Sequence, residues 1–116
     1  MGIFDIFQSK KSLKRKIKTI EQEIKKTVSM SFSGKFSILR YGAYEIEPKH
    51  LVFWISVDTD EIKDKLENDK ELNNELRNIL VKNEYPKDSI NNVHIGFESQ
   101  ETVDRESNGD WYMHFK

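Results

Sequence analysis

The chain contains no cysteine, which excludes disulfides, thiolate zinc sites and cysteine nucleophiles. Long apolar runs are missing too: the longest, 51–55, falls far short of the ~20 residues that a bilayer crossing requires, so no membrane span is expected. Nor does one sign of charge dominate. A formal net charge of -1 over 116 residues gives no global field toward nucleic acid or an anionic membrane, and any such binding must come from a local patch. The opening "MGIFDIFQSKK" places its apolar residues before its lysines, the reverse of a secretory signal, so a cytoplasmic protein is expected. Catalytic spacings are absent as well: there is no G-x-G-x-x-G, P-loop, G-x-S-x-G or H-E-x-x-H. No cofactor is expected.

What is present suffices for one domain, 1–116. Charged residues reach 34% and hydrophobic ones only 36%, a balance bordering on disorder, but 11% aromatic residues and clear apolar periodicity supply a core. Over 9–28, Leu13, Ile17, Ile20, Ile24 and Val28 recur every three or four positions and form one stripe of a helix. Phe4 and Phe7 do not join that stripe, so 1–8 is expected to be a short apolar segment packing on the domain separately, with Ser9 as a cap.

Two strands are expected next. Phe36, Ile38 and Arg40 alternate with Ser37, Leu39 and Tyr41, and "AYEIE" continues beyond a bend at Gly42, where glycine makes a bulge cheap. After the turn-like "EPKH", "LVFWISV" is apolar on both faces and reads as a central strand. The segment 58–84 is helical, capped by Asp58 or Thr59 and broken by a second cap at Asn68-Asp69. Proline in "NEYPKDS" ends it. "INNVHIGFES" and "DWYMHFK" complete an α+β order of α-β-β-α-β-β, with a four-stranded antiparallel sheet covered by helices on one face. Asn108-Gly109 suits a type I′ turn. A strict hairpin there leaves Trp111, Met113 and Phe115 without apolar partners, so Val93, Ile95 and Phe97 are expected to pair with them, making 98–110 a long bulged connection.

Three surfaces carry candidate functions. The connection holds Glu98, Glu101, Asp104, Glu106 and Asp110 against a single Arg105; it is either an acidic surface for a partner or a solvated loop. It lacks the order of a calcium-binding loop, so no metal is expected there. The first helix turns Lys11, Lys14, Arg15, Lys18 and Lys25 outward, a face that is either solvated or able to contact phosphates without reading sequence. Alternation also gathers His94, Tyr112 and His114, with Trp54, on the open sheet face. That set has the chemistry for acid-base or metal-dependent work, but no third metal ligand is fixed locally, and amphipathic side chains are ordinary on a half-exposed sheet.

A basic helix and an acidic loop suit recognition of another protein. The leading expectation is a small non-enzymatic protein-binding domain of bacterial immunity, antitoxin or adaptor type, using the acidic loop, as a monomer or homodimer. Nonspecific nucleic-acid binding through the first helix is the second reading, and an enzyme on the His94, Tyr112 and His114 face the third.

Overall fold

The computed structural model describes residues 3–115, with side chains from Ser12 onward. A long helix, α1 (Ile3–Ser31), leads into a short strand, β1 (Ser37–Tyr41), a single 3-10 turn (Pro48–His50) and β2 (Val52–Val57). Three helices follow, α2 (Asp60–Glu67), α3 (Lys70–Lys82) and α4 (Lys87–Ile90), then β3 (His94–Ser99), α5 (Gln100–Ser107) and α6 (Trp111–His114). The α+β class is as expected. The sheet, however, has three strands in the order β1-β2-β3 rather than four.

The apolar stripe of α1 is the inner one: Ile17, Ile20, Ile24 and Val28 are buried. Its backbone runs unbroken from Ile3, so residues 3–8 continue the helix instead of forming a separate segment, and Ser9 lies inside it rather than capping it. The packing expected of Phe4 and Phe7 lies outside the described side chains. β1 and β2 are antiparallel, with Leu39 opposite Trp54. Between them "AYEIE" forms turns, not strand, because the chain must reach the 3-10 turn, where the Tyr85 hydroxyl donates to the Pro48 carbonyl at 2.6 Å.

Thr59 caps α2, its hydroxyl oxygen accepting from the Ile62 N–H at 3.2 Å. Asp69 caps α3 through the Leu72 N–H at 3.0 Å, so the expected break in 58–84 is present. The three helices return the chain to the starting end of β2, and β3 therefore runs parallel to it, with Phe53 beside Ile95 and Ile55 beside Phe97. This corrects the all-antiparallel expectation: a crossover of this length permits parallel pairing, which a hairpin cannot. Arg77 of α3 fastens the return by donating to the Ile90 and Val93 carbonyls.

The last segment departs furthest from expectation. Ser99 caps α5 by accepting from the Thr102 N–H at 3.1 Å, and Asn108 (φ 51°) and Gly109 (φ 80°) close the helix in left-handed conformations. The dipeptide's tolerance of positive φ serves a helix terminus, not a hairpin. Asp110 then caps α6 through the Met113 N–H at 3.1 Å. Residues 98–110 are thus strand end and helix rather than bulged loop, and "DWYMHFK" is not a fourth strand. In a helix Trp111 and Phe115 share a face, with ring centroids 5.7 Å apart, while Met113 is 55% exposed and closes no core.

Phe53, Ile55 and Val57 of β2 turn toward the core, together with Phe97, Leu72, Leu76 and Leu80. α6 lies on the opposite face, where Phe115 stacks on Trp54, so helices cover both faces and not one. Ile24 is fully buried in mid-helix; Ile24→Ala should cost about 2–5 kcal/mol of stability, read as a lower urea midpoint at unchanged slope.

Candidate functional site

The second sheet face carries Leu39 and Tyr41 from β1, Val52, Trp54 and Ser56 from β2, and His94, Gly96 and Glu98 from β3, because register partners share a face. α6 returns across part of it. The Phe115 ring stacks on Trp54 with centroids 4.6 Å apart and planes 15° apart, and it lies tilted against Tyr41 with centroids 5.6 Å apart. His94 also lies against the indole, with ring centroids 4.7 Å apart. A Cβ at Gly96 would come within 2.6 Å of His94 Nε2 and 2.9 Å of the indole, so glycine is what lets these two rings approach. The uncovered remainder is an open groove of about 570 Å³ lined by Tyr41, Gly42, Val52, Trp54, His94, Tyr112 and Phe115.

Burial of the imidazole against Trp54 lowers the His94 pKa, and the charge of Arg77 lowers it further. It is therefore mostly neutral at neutral pH, with one ring nitrogen able to donate and the other to accept. His94, Tyr112 and Trp54 thus meet in one groove. His114 does not join them. Its Nε2 donates to Glu98 at 2.9 Å and its Nδ1 pairs with the Ser107 hydroxyl at 3.0 Å, because in a helix it points away from the face that Tyr112 occupies. The groove is lined, among the described residues, by an imidazole and two phenols, groups that both donate and accept hydrogen bonds. Among the described residues no three His, Asp or Glu side chains are grouped to hold a metal ion.

Of the acids expected to face a partner, one is buried and four are exposed. Glu98 is buried and accepts from Lys63 Nζ at 2.8 Å and from the Ser99 N–H at 2.9 Å as well as from His114. Burial raises its pKa, yet these donors outweigh that effect and hold the carboxyl below its ordinary range. Glu101 accepts from the Asp60 N–H at 2.9 Å. Asp104 accepts from Gln100 at 2.8 Å, whose own oxygen accepts from the Trp111 indole at 2.8 Å. Asp110 is the α6 cap. Glu106 is exposed. Glu98 is thus withdrawn from the surface, whereas Glu101, Asp104, Glu106 and Asp110 remain exposed, three of them also accepting hydrogen bonds within the fold.

In the sequence Asp60 is only an acid in the first turn of a helix. In the fold its carboxylate accepts from Ser99, from Thr102 at 2.6 Å and from Arg105 at 3.0 Å, joining the start of α2 to α5. Those partners lie some forty positions away, and nothing local announces them. On α1, Arg15, Lys18 and Lys25 are exposed, whereas Lys14 lies 3.8 Å from Glu45; the Lys11 side chain lies outside those described. Lys16 is drawn off to the Glu84 carbonyl at 3.0 Å.

The hydrogen bond from Ser99, then that from Thr102, then Arg105, draw the Asp60 carboxyl from its ordinary 3.8 down to about 2. A pKa lower in the folded than in the unfolded chain means that the ionised group stabilises the fold above the unfolded value. That contribution is lost as pH falls from 3.8 toward about 2, and Glu98 acts in the same direction. Urea midpoints should therefore decline through this window. Asp60→Asn should lower the midpoint at neutral pH and make the acid decline shallower; an unchanged slope would show that the Asp60 cluster is not what the acid titrates.

Comparison with protein-family models, with curated proteins and with solved structures finds no match for this chain.

Proposed function

We propose that this domain is a non-catalytic protein-binding module whose contact surface is the aromatic groove between the sheet and α6. The observation that carries this reading is the groove itself. Its volume of about 570 Å³ falls within the ~300–1,000 Å³ of ordinary binding pockets, and Tyr112 on its rim is 68% accessible. Tyrosine and tryptophan are enriched in protein interfaces, where a few such side chains carry most of the binding energy. A neutral His94 beside them adds hydrogen bonding without a charge to desolvate.

The reading keeps the protein partner but sets its footing on the groove rather than the acidic segment, because Glu98 is buried and the exposed Glu101, Asp104 and Asp110 already accept hydrogen bonds. An immunity, antitoxin or adaptor role fits a module of this size. The exposed Arg15, Lys18 and Lys25 on α1 keep nonspecific phosphate contact as a second reading, with a distinct test.

Immobilised wild-type chain, Tyr112→Ala and Glu106→Lys should be compared as baits in nuclease-treated lysate. Both variants should melt within a few degrees of wild type, since exposed positions usually change stability by less than ~0.5 kcal/mol. A partner held by wild type and by Glu106→Lys, and lost or weakened at least about tenfold by Tyr112→Ala, supports the groove. The opposite pattern would return the interface to the acidic segment, and retention that vanishes on nuclease treatment would favour the basic helix.

A further inference from the structure

β1 is an edge strand, paired with β2 on one side only. Its backbone groups turned away from β2 have no hydrogen-bond partner among the described residues. Such a row of donors and acceptors is a template for another extended chain. Proteins commonly blunt this hazard by covering the edge, and here no described element pairs with it.

The end of this edge is flanked by a recess on each face. On one face, Tyr41 borders the aromatic groove. On the other, Arg40 borders a recess of about 450 Å³ shared with Lys14, Lys18, Tyr44, Glu21 and Glu45. Arg40 lies 3.6 Å from Glu21 and Lys14 lies 3.8 Å from Glu45, while Lys18 has no ion pair among the described residues. The second recess is therefore net positive. Consecutive residues of a strand point to opposite faces, so a chain added along β1 would send one set of side chains over an aromatic groove and the next set over cations.

We propose that β1 docks an extended segment of a protein partner in which apolar residues alternate with acidic ones. This rests on the groove reading above and adds to it the backbone pairing and the charge pattern of the ligand. The main chain of the segment would exchange hydrogen bonds with the free edge of Ser37–Tyr41, its apolar residues would enter the groove beside Trp54 and Tyr112, and its acidic residues would meet Lys18 and Arg40. A second copy of this chain fits less well. Paired through β1, each copy would offer its neighbour's cationic recess another Arg40 in place of an acid, and like charges across a contact oppose association.

The test uses the full chain, labelled with nitrogen-15. A capped peptide of about five residues, the length of chain that spans such a strand, would alternate phenylalanine or valine with glutamate; its counterpart would carry lysine in place of glutamate. The glutamate peptide should shift the amides of residues 37–41 together with the Trp54 indole N–H. It should bind at least about tenfold more tightly than the lysine peptide, and the advantage should shrink in a Lys18→Gln, Arg40→Gln variant and at high salt. Lys18 is exposed and Arg40 nearly so, so this variant should fold; its amide spectrum without peptide checks that directly. If the indole shifts while the amides of 37–41 stay still, the edge proposal fails and the groove reading stands. If neither moves, both fail. Equal binding of the two peptides overturns the charge pattern, and concentration-dependent dimerisation with the same amide shifts would replace the partner by a second copy.

Discussion

The buried carboxylate of Glu98 is the point on which the second half of the chain depends. Its two oxygens receive Lys63 from α2, His114 from α6 and the neighbouring Ser99 N–H. A buried carboxylate left without donors would cost several kcal/mol, and breaking one such buried pair commonly costs about 3–5 kcal/mol. With all three donors in place, the same group fixes helices on both sides of β3. Through Lys63 it sets α2 against the strand, and through His114 it seats α6 on the opposite sheet face. The position of Phe115, and with it the shape of the groove, follows from that second bond.

A second polar cluster, centred on Asp60, works beside it. Ser99 both caps α5 and donates to Asp60, while Glu101 of α5 accepts from the Asp60 N–H. Each of the two helices thus supplies an acid to the other's N-terminal turn, where free N–H groups and the helix dipole favour negative charge. One residue apart in sequence, Glu98 and Ser99 serve opposite faces of the sheet, as strand alternation demands. The segment that follows β3 is consequently held by charge and hydrogen bonds more than by apolar burial, with only Val103 of α5 belonging to the buried apolar set.

That difference explains which parts of the structure could be read from sequence. The stripe of Ile17, Ile20, Ile24 and Val28, the central strand "LVFWISV" and the cap at Asp69 follow from apolar periodicity and local capping chemistry, and each is where those signals place it. The last segment lacked such a stripe, and its alternation of Trp111, Met113 and Phe115 was ambiguous, since positions four apart share a face in a helix as well as in a strand. Local helix signals were nonetheless present: Ser99 as cap, Glu101 in the first turn, Arg105 in the last and Asn108-Gly109 at the end. They were outweighed by the demand for a fourth strand to cover apolar residues. The candidate site divides the same way. Alternation along β2 and β3 correctly places Trp54 and His94 on one face, but the hydrogen bonds of Glu98, Glu101 and His114 depend on Lys63, Asp60 and Ser107, whose proximity only the folded chain creates.

The groove itself has a geometric origin. A three-stranded sheet spans about 10 Å between its outer strands and strands of this length run about 20 Å, whereas one helical turn of four residues covers only about 6 Å along its axis. α6 is such a helix, so it cannot roof the face beneath it. What it covers is chosen by the His114 bond to Glu98 at one end of β3. The part left open therefore lies toward the other end, around His94, Val52 and Tyr41, beside the unpaired edge of β1. An apolar face that α6 is too short to cover, adjoining backbone groups that the sheet does not pair, joins two physical demands in one place, and a single extended ligand would satisfy both.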